Sequence, residues 1–305
     1  MRTGGASAGL ASVRGREDRP GLAVGLCLFV FICFTGIDTS AKWLMESGLP
    51  VGEVVFIRYL GHLFFVVALF APSQGANLWR MKKPRLTLLR GTMLLLATAS
   101  NFTALQYLPL TVTTSIFFAS PLIITALAAI FLAEKVGPRR WAAICVGFAG
   151  VLIITRPWGA SFHWAMLISC IPPIAASIYT LITRRLAGEE APDTMQFWAA
   201  LIPVIALAPF AFLDWTWPSD GWGWVFFFCI GFFGWLGHQL FTVAHRFADA
   251  SVLAPLTYIH IVYITASSWL IFHQPPAFWT IIGAGVIIAS GLYVWLRERK
   301  AGAGG

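Results

Sequence analysis

The chain has 305 residues, of which 58% are hydrophobic and 11% charged, and its net charge is +8. A water-soluble domain carries about 25% charged residues, so this composition excludes a soluble enzyme or binding module. The basic surplus is no nucleic-acid patch either, because Lys and Arg fall between apolar blocks, as membrane topology signals do.

Residues 1–20 read as a disordered, Gly/Arg-rich tail without a small-residue cleavage site, so the first apolar block is expected to remain as an anchor. A membrane-spanning helix needs about 20 mostly apolar residues. Ten such blocks follow, near 21–44, 53–71, 87–107, 111–133, 139–155, 162–183, 194–213, 222–245, 250–272 and 277–296. The first holds "TGIDTSAKWL", where Asp38 and Lys42 stand one helical turn apart and are set to pair, with Trp43 beside them. The second holds "GEVVFIRYLGH", with Glu53, Arg58 and His62 near helical spacing; Arg58 reads as a helix anchor or as the partner of a substrate carboxylate. Spans 3 and 4 add Asn101, Gln106, Thr113, Thr114, Ser115 and Ser120. These neutral groups serve helix packing or substrate. Pro121 is expected to kink span 4, and Pro172 and Pro173 span 6, which also carries Tyr179. "FLDWTWPSDGWGW" (212–224) has four tryptophans and reads as an interfacial belt. Trp235, His238 and Gln239 lie in span 8, and Tyr258, His260 and Tyr263 in span 9, which ends at His273. The tail 297–305 closes the chain.

With the N-terminus in the cytosol, 18 of the 21 basic residues fall on the cytosolic side; Lys42, Arg58 and Arg156 are the exceptions. Arg80, Lys82, Lys83, Arg85 and Arg90 are counted together in one such loop. The bias predicts ten spans, both termini cytosolic, in a bacterial inner membrane.

The five cysteines all sit in apolar blocks without a CxxC pair, and no HExxH occurs. His260 and His273 are 13 residues apart, about 20 Å along a helix, too far to share an ion. No metal, no cofactor and no enzyme chemistry are therefore expected.

Shifted by about 139 residues, "NFTALQYL" (101–108) lies over "LFTVAHRF" (240–247), and "SPLIITALAAIFLAE" (120–134) over "IHIVYITASSWLIFH" (259–273). A glycine-rich span closes each half, with Gly147 and Gly150 in one and Gly283, Gly285 and Gly291 in the other. The halves are 21–156 and 157–296, five spans each. Five is odd, so the second half enters the membrane from the opposite side. The expected fold is an all-α membrane protein of ten transmembrane helices, two inverted five-helix repeats around a central cavity, and its expected activity is transport by alternating access.

"FIRYL", "ALQYLPL", "SPLIITALAAIFLAEK" and the glycine-rich fifth span, in that order, resemble the EamA-type drug/metabolite transporters. The bacterial aromatic amino acid exporters within that superfamily look nearest. The resemblance implies export of small metabolites, most simply hydrophobic or aromatic amino acids. The alternative is a vitamin, nucleotide-derivative or drug carrier, with proton coupling left open. It also marks a departure: His260 and His273 stand where the first half has Pro121 and Glu134.

His260, Tyr258, Tyr263, Asn101, Ser115, Trp43, Tyr179, His238 and Asp38 are the candidate substrate contacts. Aromatic faces suit an ammonium, and an acidic or phosphorylated substrate calls for more buried Arg or Lys than these spans supply. With Lys42 neutralising Asp38, uncoupled facilitated movement is expected. The partners are a small-molecule substrate and the bilayer. One chain holds both halves, so a monomer suffices, with a dimer as the alternative.

Overall fold

Inside a bilayer every backbone N–H and C=O must be satisfied within the protein, which long apolar blocks achieve as helices. The computed structural model describes residues 20–131, 137–156, 158–159, 162–186, 188–247 and 254–302, and among these there is no β-strand. The N-terminal residues 1–19, and Glu134 of the fourth-span motif, lie outside the described residues.

The helices are α1 (Pro20–Glu46), α2 (Val51–Gln74), α3 (Pro84–Leu105), α4 (Leu110–Phe117), α5 (Ser120–Phe131), α6 (Pro138–Thr155), α7 (Ala165–Ile168), α8 (Ile171–Leu186), α9 (Pro192–Ala211), α10 (Gly221–Phe247), α11 (His260–Leu270) and α12 (Phe278–Gly302). Eight segments are long and apolar enough to cross a membrane, and Trp141–Thr155 is a shorter ninth. The tenth is composite, a 3₁₀ turn over Ala254–Ile259 running into α11. Spans 4 and 6 are also composite, α4 with α5 and α7 with α8. The chain is an all-α, multi-pass membrane protein of ten spans.

Pro121, Pro172 and Pro173 stand in the first turns of their helices rather than within them, whereas Pro72 lies inside α2 and Pro203 and Pro209 inside α9. Pro121 and Pro172 are the second residues of α5 and α8, where a missing N–H costs nothing. The break in span 4 falls just before, at Phe118–Ala119, and span 9 changes from 3₁₀ to α at His260. Thus the two halves are interrupted at matching places although only one has the proline. The last helix also passes the expected boundary at 296 and runs to Gly302.

Packing follows the repeat. Exchanging spans 1–5 with 6–10 turns the α1·α10 contact into α8·α3, α2·α10 into α9·α3, and α1·α11 into α8·α5, while α2·α9, α4·α11 and α6·α12 map onto themselves. Every one of these pairs is present. Spans 1, 2, 3, 6, 7 and 8 share one core, around Leu44, Tyr59, Phe102, Tyr179, Ala199 and Ile230. Spans 4, 5 and 10 build a second, around Ile116, Phe118, Leu122, Val151 and Ile287.

Close crossings need glycine. A Cβ on Gly61 would lie 2.7 Å from the Gly231 Cα, where α2 meets α10. At the crossing related by the repeat, a Cβ on Gly91 would lie 3.4 Å from the Ala199 Cα.

Two clasps also mirror each other. Glu53, in the first turn of α2, accepts hydrogen bonds from the Thr216 N–H (2.9 Å) and hydroxyl (3.3 Å) in the loop before α10. Glu190, just before α9, accepts from the N–H groups of Lys82 (2.8 Å) and Lys83 (3.1 Å) in the loop before α3.

Candidate functional site

One stripe of α1, Phe31, Phe34, Asp38 and Lys42, recurs at helical spacing and meets a polar side chain or backbone carbonyl at each step. The Phe31 ring lies 5.6 Å from the His260 ring of α11. The Phe34 ring lies 5.1 Å from His238 of α10. Asp38 accepts a 3.0 Å hydrogen bond from the Asn101 amide of α3. Phe34, Asp38 and Asn101 are only half-buried, whereas His238 and His260 are buried. Thr39 and Ser267 join hydroxyls at 2.6 Å and tie α1 to α11.

Lys42 does not pair with Asp38. Its Nζ lies 3.1 Å from Glu46 and donates to the carbonyls of Leu105 and Leu108, both at 3.3 Å. The end of α3 leaves carbonyls without helical partners, and a buried ammonium beside them satisfies both sides. Asp38 is therefore not paired by Lys42, and the argument for uncoupled movement from Lys42 neutralisation falls.

Behind the stripe, a hydrogen-bonded chain crosses four spans. Arg58 Nη2 donates to His238 Nε2 at 2.9 Å, so that nitrogen carries no proton. Nδ1 of His238 lies 3.4 Å from the Tyr179 hydroxyl, which also accepts from Arg90 Nη2 at 2.7 Å. Arg90 further donates to the Thr183 hydroxyl (2.8 Å) and the Met195 carbonyl (3.0 Å). His62 lies parallel to His238, ring centroids 6.2 Å apart. Gln196 of α9 braces α10 through the His238 carbonyl and the Thr242 hydroxyl, both at 2.9 Å.

Arg90 therefore belongs to the interior, fully buried, and not to a cytosolic loop. It sits about two turns inside α3, beyond the lysines it was counted with. Together with Arg58 and Lys42 it corrects the expectation that the spans supply few buried cations: all three are less than 5% exposed.

The structure brings Asp38, Asn101, His238, His260 and Tyr179 together along α1 and the chain behind it. Tyr263 packs on the Phe31 side, in the cluster with Cys27 and Ala244. Trp43 lies farther along α1, against Phe226 (5.0 Å) and Phe272 (6.4 Å). Tyr258 points elsewhere: its hydroxyl fills the groove at Gly291, where a Cβ would come within 1.7 Å, and its ring meets Phe118. Ser115 is fully buried in α4 with a hydroxyl that finds no partner among the described residues. Gln239 donates to Asp193, Trp235 stacks on Phe65, and Gln106 and His273 are exposed. Sequence reasoning missed Thr183, Gln196 and Thr242, neutral residues whose only signal was polarity within an apolar block. Among the described residues, no three His, Cys, Asp or Glu side chains gather to hold a metal.

A stripe of aromatic and polar groups between two inverted halves is a carrier's arrangement rather than a structural rod's. The family model of the EamA-like transporters matches residues 21–156 and again 163–296. The chain belongs to the EamA-like transporter family. It is a membrane transporter, and the two matched stretches fall either side of the α6–α7 connection. Among the relatives of this EamA-like chain is a riboflavin transporter of Rhizobium johnstonii, 27% identical over 88% of this chain and 89% of that one. Another is an S-adenosylmethionine uptake transporter of Rickettsia bellii, 28% identical over 92% and 95%. A third is a pseudopaline exporter of Pseudomonas aeruginosa, 26% identical over 92% and 98%. A crystal structure 18% identical in sequence superposes with a TM-score of 0.62, covering 92% of this chain and 98% of that one, and shows the same fold.

Proposed function

We propose that this chain carries a flat, ring-bearing metabolite of the vitamin or nucleotide-derivative class, with riboflavin as the leading substrate. It does so across a bacterial inner membrane by alternating access, as a monomer with both termini in the cytosol. The observation that carries the reading is the α1 stripe. Half-buried Phe34 offers a ring for stacking, with buried Phe31 about one turn before it and the Asp38–Asn101 pair about one turn after it, and Arg58 and Arg90 lie behind them. A ring system rimmed with carbonyls and ring nitrogens suits such donors.

Amino acid export, the first expectation, has less support. The relatives named above are a riboflavin transporter, an S-adenosylmethionine uptake transporter and a pseudopaline exporter, and none is named for one of the twenty amino acids. The second reading is S-adenosylmethionine, a sulfonium cation, and the Asp38 carboxylate released from Lys42 favours it. The surrounding guanidiniums oppose it.

The test is flux in liposomes reconstituted with the purified protein. Labelled riboflavin is expected to enter faster than into empty liposomes, with unlabelled riboflavin competing better than S-adenosylmethionine or any of the twenty amino acids. Flux of an amino acid that riboflavin does not inhibit, with no riboflavin flux, would sink the proposal.

A further inference from the structure

Arg58 is 2% exposed, and yet only one of its nitrogens, Nη2, has a hydrogen-bonding partner. Its Nε and Nη1 find no partner among the described residues, and neither do both ring nitrogens of His62, which is fully buried one turn further along α2. The Arg58 guanidinium lies 4.2 Å over the Tyr59 ring, and its side chain passes beside Gly234 of α10. Arg90 is saturated, but by neutral acceptors alone: a hydroxyl of Thr183, a hydroxyl of Tyr179 and a backbone carbonyl. Neither guanidinium forms an ion pair with a carboxylate of the described residues; Asp38 acts on Arg58 only through space.

Two guanidiniums and two imidazoles, His62 and His238, thus share one buried region between α2, α3 and α10, each within electrostatic range of the others. Removing an unpaired charge from water costs several kcal/mol, and in a membrane such groups persist where function requires them. The groups facing this region from the packed helices are Phe34 and Asp38 of α1, Tyr179 of α8 and Gln196 of α9, so Asp38 is the one carboxyl group among them beside two guanidiniums.

We infer that Arg58, with His62, forms a binding site for one anionic group. Arg58 presents its unpartnered Nε–H and Nη1–H groups, which lie on different edges of the guanidinium, as separate donors to an oxygen of a phosphate or carboxylate, His62 adds a further donor, and Arg90 adds positive charge across the Tyr179–His238 chain. The anion is either an ionised group on the transported molecule or an inorganic anion that accompanies it. The site stands on these contacts whichever metabolite is carried.

The experiment uses the purified full-length protein in lipid nanodiscs. The melting temperature is measured with sodium phosphate or sodium chloride replacing the bulky gluconate at constant ionic strength. In separate arms it is measured with riboflavin or with riboflavin 5′-phosphate. A stabilisation of about 3–5 °C is expected on saturation of a single site. A rise with phosphate or chloride alone assigns an inorganic anion; a rise confined to riboflavin 5′-phosphate assigns a group on the solute. In both cases Arg58→Gln should abolish the rise, His62→Ala should reduce it, and Arg58→Lys should retain part of it. Without added anion, Arg58→Gln should melt at or above the wild-type temperature, because it removes an uncompensated buried charge. If no anion stabilises the wild type, or if the rise survives in Arg58→Gln, the site is refuted. It is refuted equally if Arg58→Gln melts well below wild type with its anion response intact. Riboflavin flux with no anion response would leave the proposed function standing and this site alone refuted.

Discussion

At the scale of single residues, the two histidines of span 9 differ in environment more than in sequence. His260 is 6% exposed, its Nε2 lacks a hydrogen-bonding partner, and its ring faces Phe31 on the α1 stripe. His273 is exposed in the turn that follows α11, in a left-handed conformation, φ 54°, its N–H bonded to the Trp269 carbonyl. Hence His260→Ala should lower substrate flux by about tenfold, the equivalent of one lost polar contact near 1.4 kcal/mol. His273→Ala should leave flux within about twofold, measured in the same liposomes. The reverse order would remove His260 from the site. These positions also show what the sequence could say about the site. Polar residues in apolar blocks were visible, so Asp38, Asn101, His238 and His260 were legible as candidates. Their partners were not: i to i+4 spacing linked Asp38 to Lys42, whereas the tertiary structure offered Lys42 the open carbonyls of α3 and gave Asp38 to Asn101. Arg90 was misplaced for a similar reason, since charge counting along the chain takes no account of a helix that begins at Pro84.

At the scale of helices, backbone approach decides which contacts tolerate change. Gly61 and Gly231 face each other so closely that a Cβ on either lies under 3 Å from the other's Cα. Gly61→Ala or Gly231→Ala should therefore separate α2 from α10 and cost about 1–3 kcal/mol through overpacking, read as a lower midpoint in thermal unfolding. Gly25→Ala and Gly285→Ala, with nothing within 4 Å of the added methyl, should be neutral or slightly stabilising. An equal loss at all four positions would contradict the crossing. The helices themselves were the legible part. Ten apolar blocks became ten spans, because a bilayer leaves a long apolar segment little alternative to a helix. The interruptions were less legible: Pro121 marked the break in span 4 within a few residues, but in span 9 the change from 3₁₀ to α falls at His260, five residues after Pro255.

At the scale of the whole molecule, the connections between helices differ in kind. Spans 2, 3, 7 and 8 are fastened at both ends, by Glu190 on the loop before α3 and by Glu53 on the loop before α10. Gln74, Asp193 and Gln239 reinforce one of those ends. Among the described residues α1 and α11 are joined by the Thr39–Ser267 hydrogen bond, and α11 belongs to a short, composite span. Motion during transport is therefore expected at the α1–α11 seam. With the five native cysteines replaced by alanine, oxidising a Thr39→Cys/Ser267→Cys pair should stop flux, and a reductant should restore it. A short bifunctional cross-link at Gln74→Cys/Asp193→Cys should leave most of the flux intact. Inhibition at the second pair and not the first would move the seam elsewhere.

The clasps have one further consequence. Glu53 belongs to the first half and grips the second, while Glu190 belongs to the second and grips the first. Each half thus gives and receives the same hand, as the two subunits of a symmetric dimer do. Covalent continuity between Thr155 and Ala165 supplies proximity rather than recognition, so two separately translated halves already carry the means of finding each other in the right antiparallel sense.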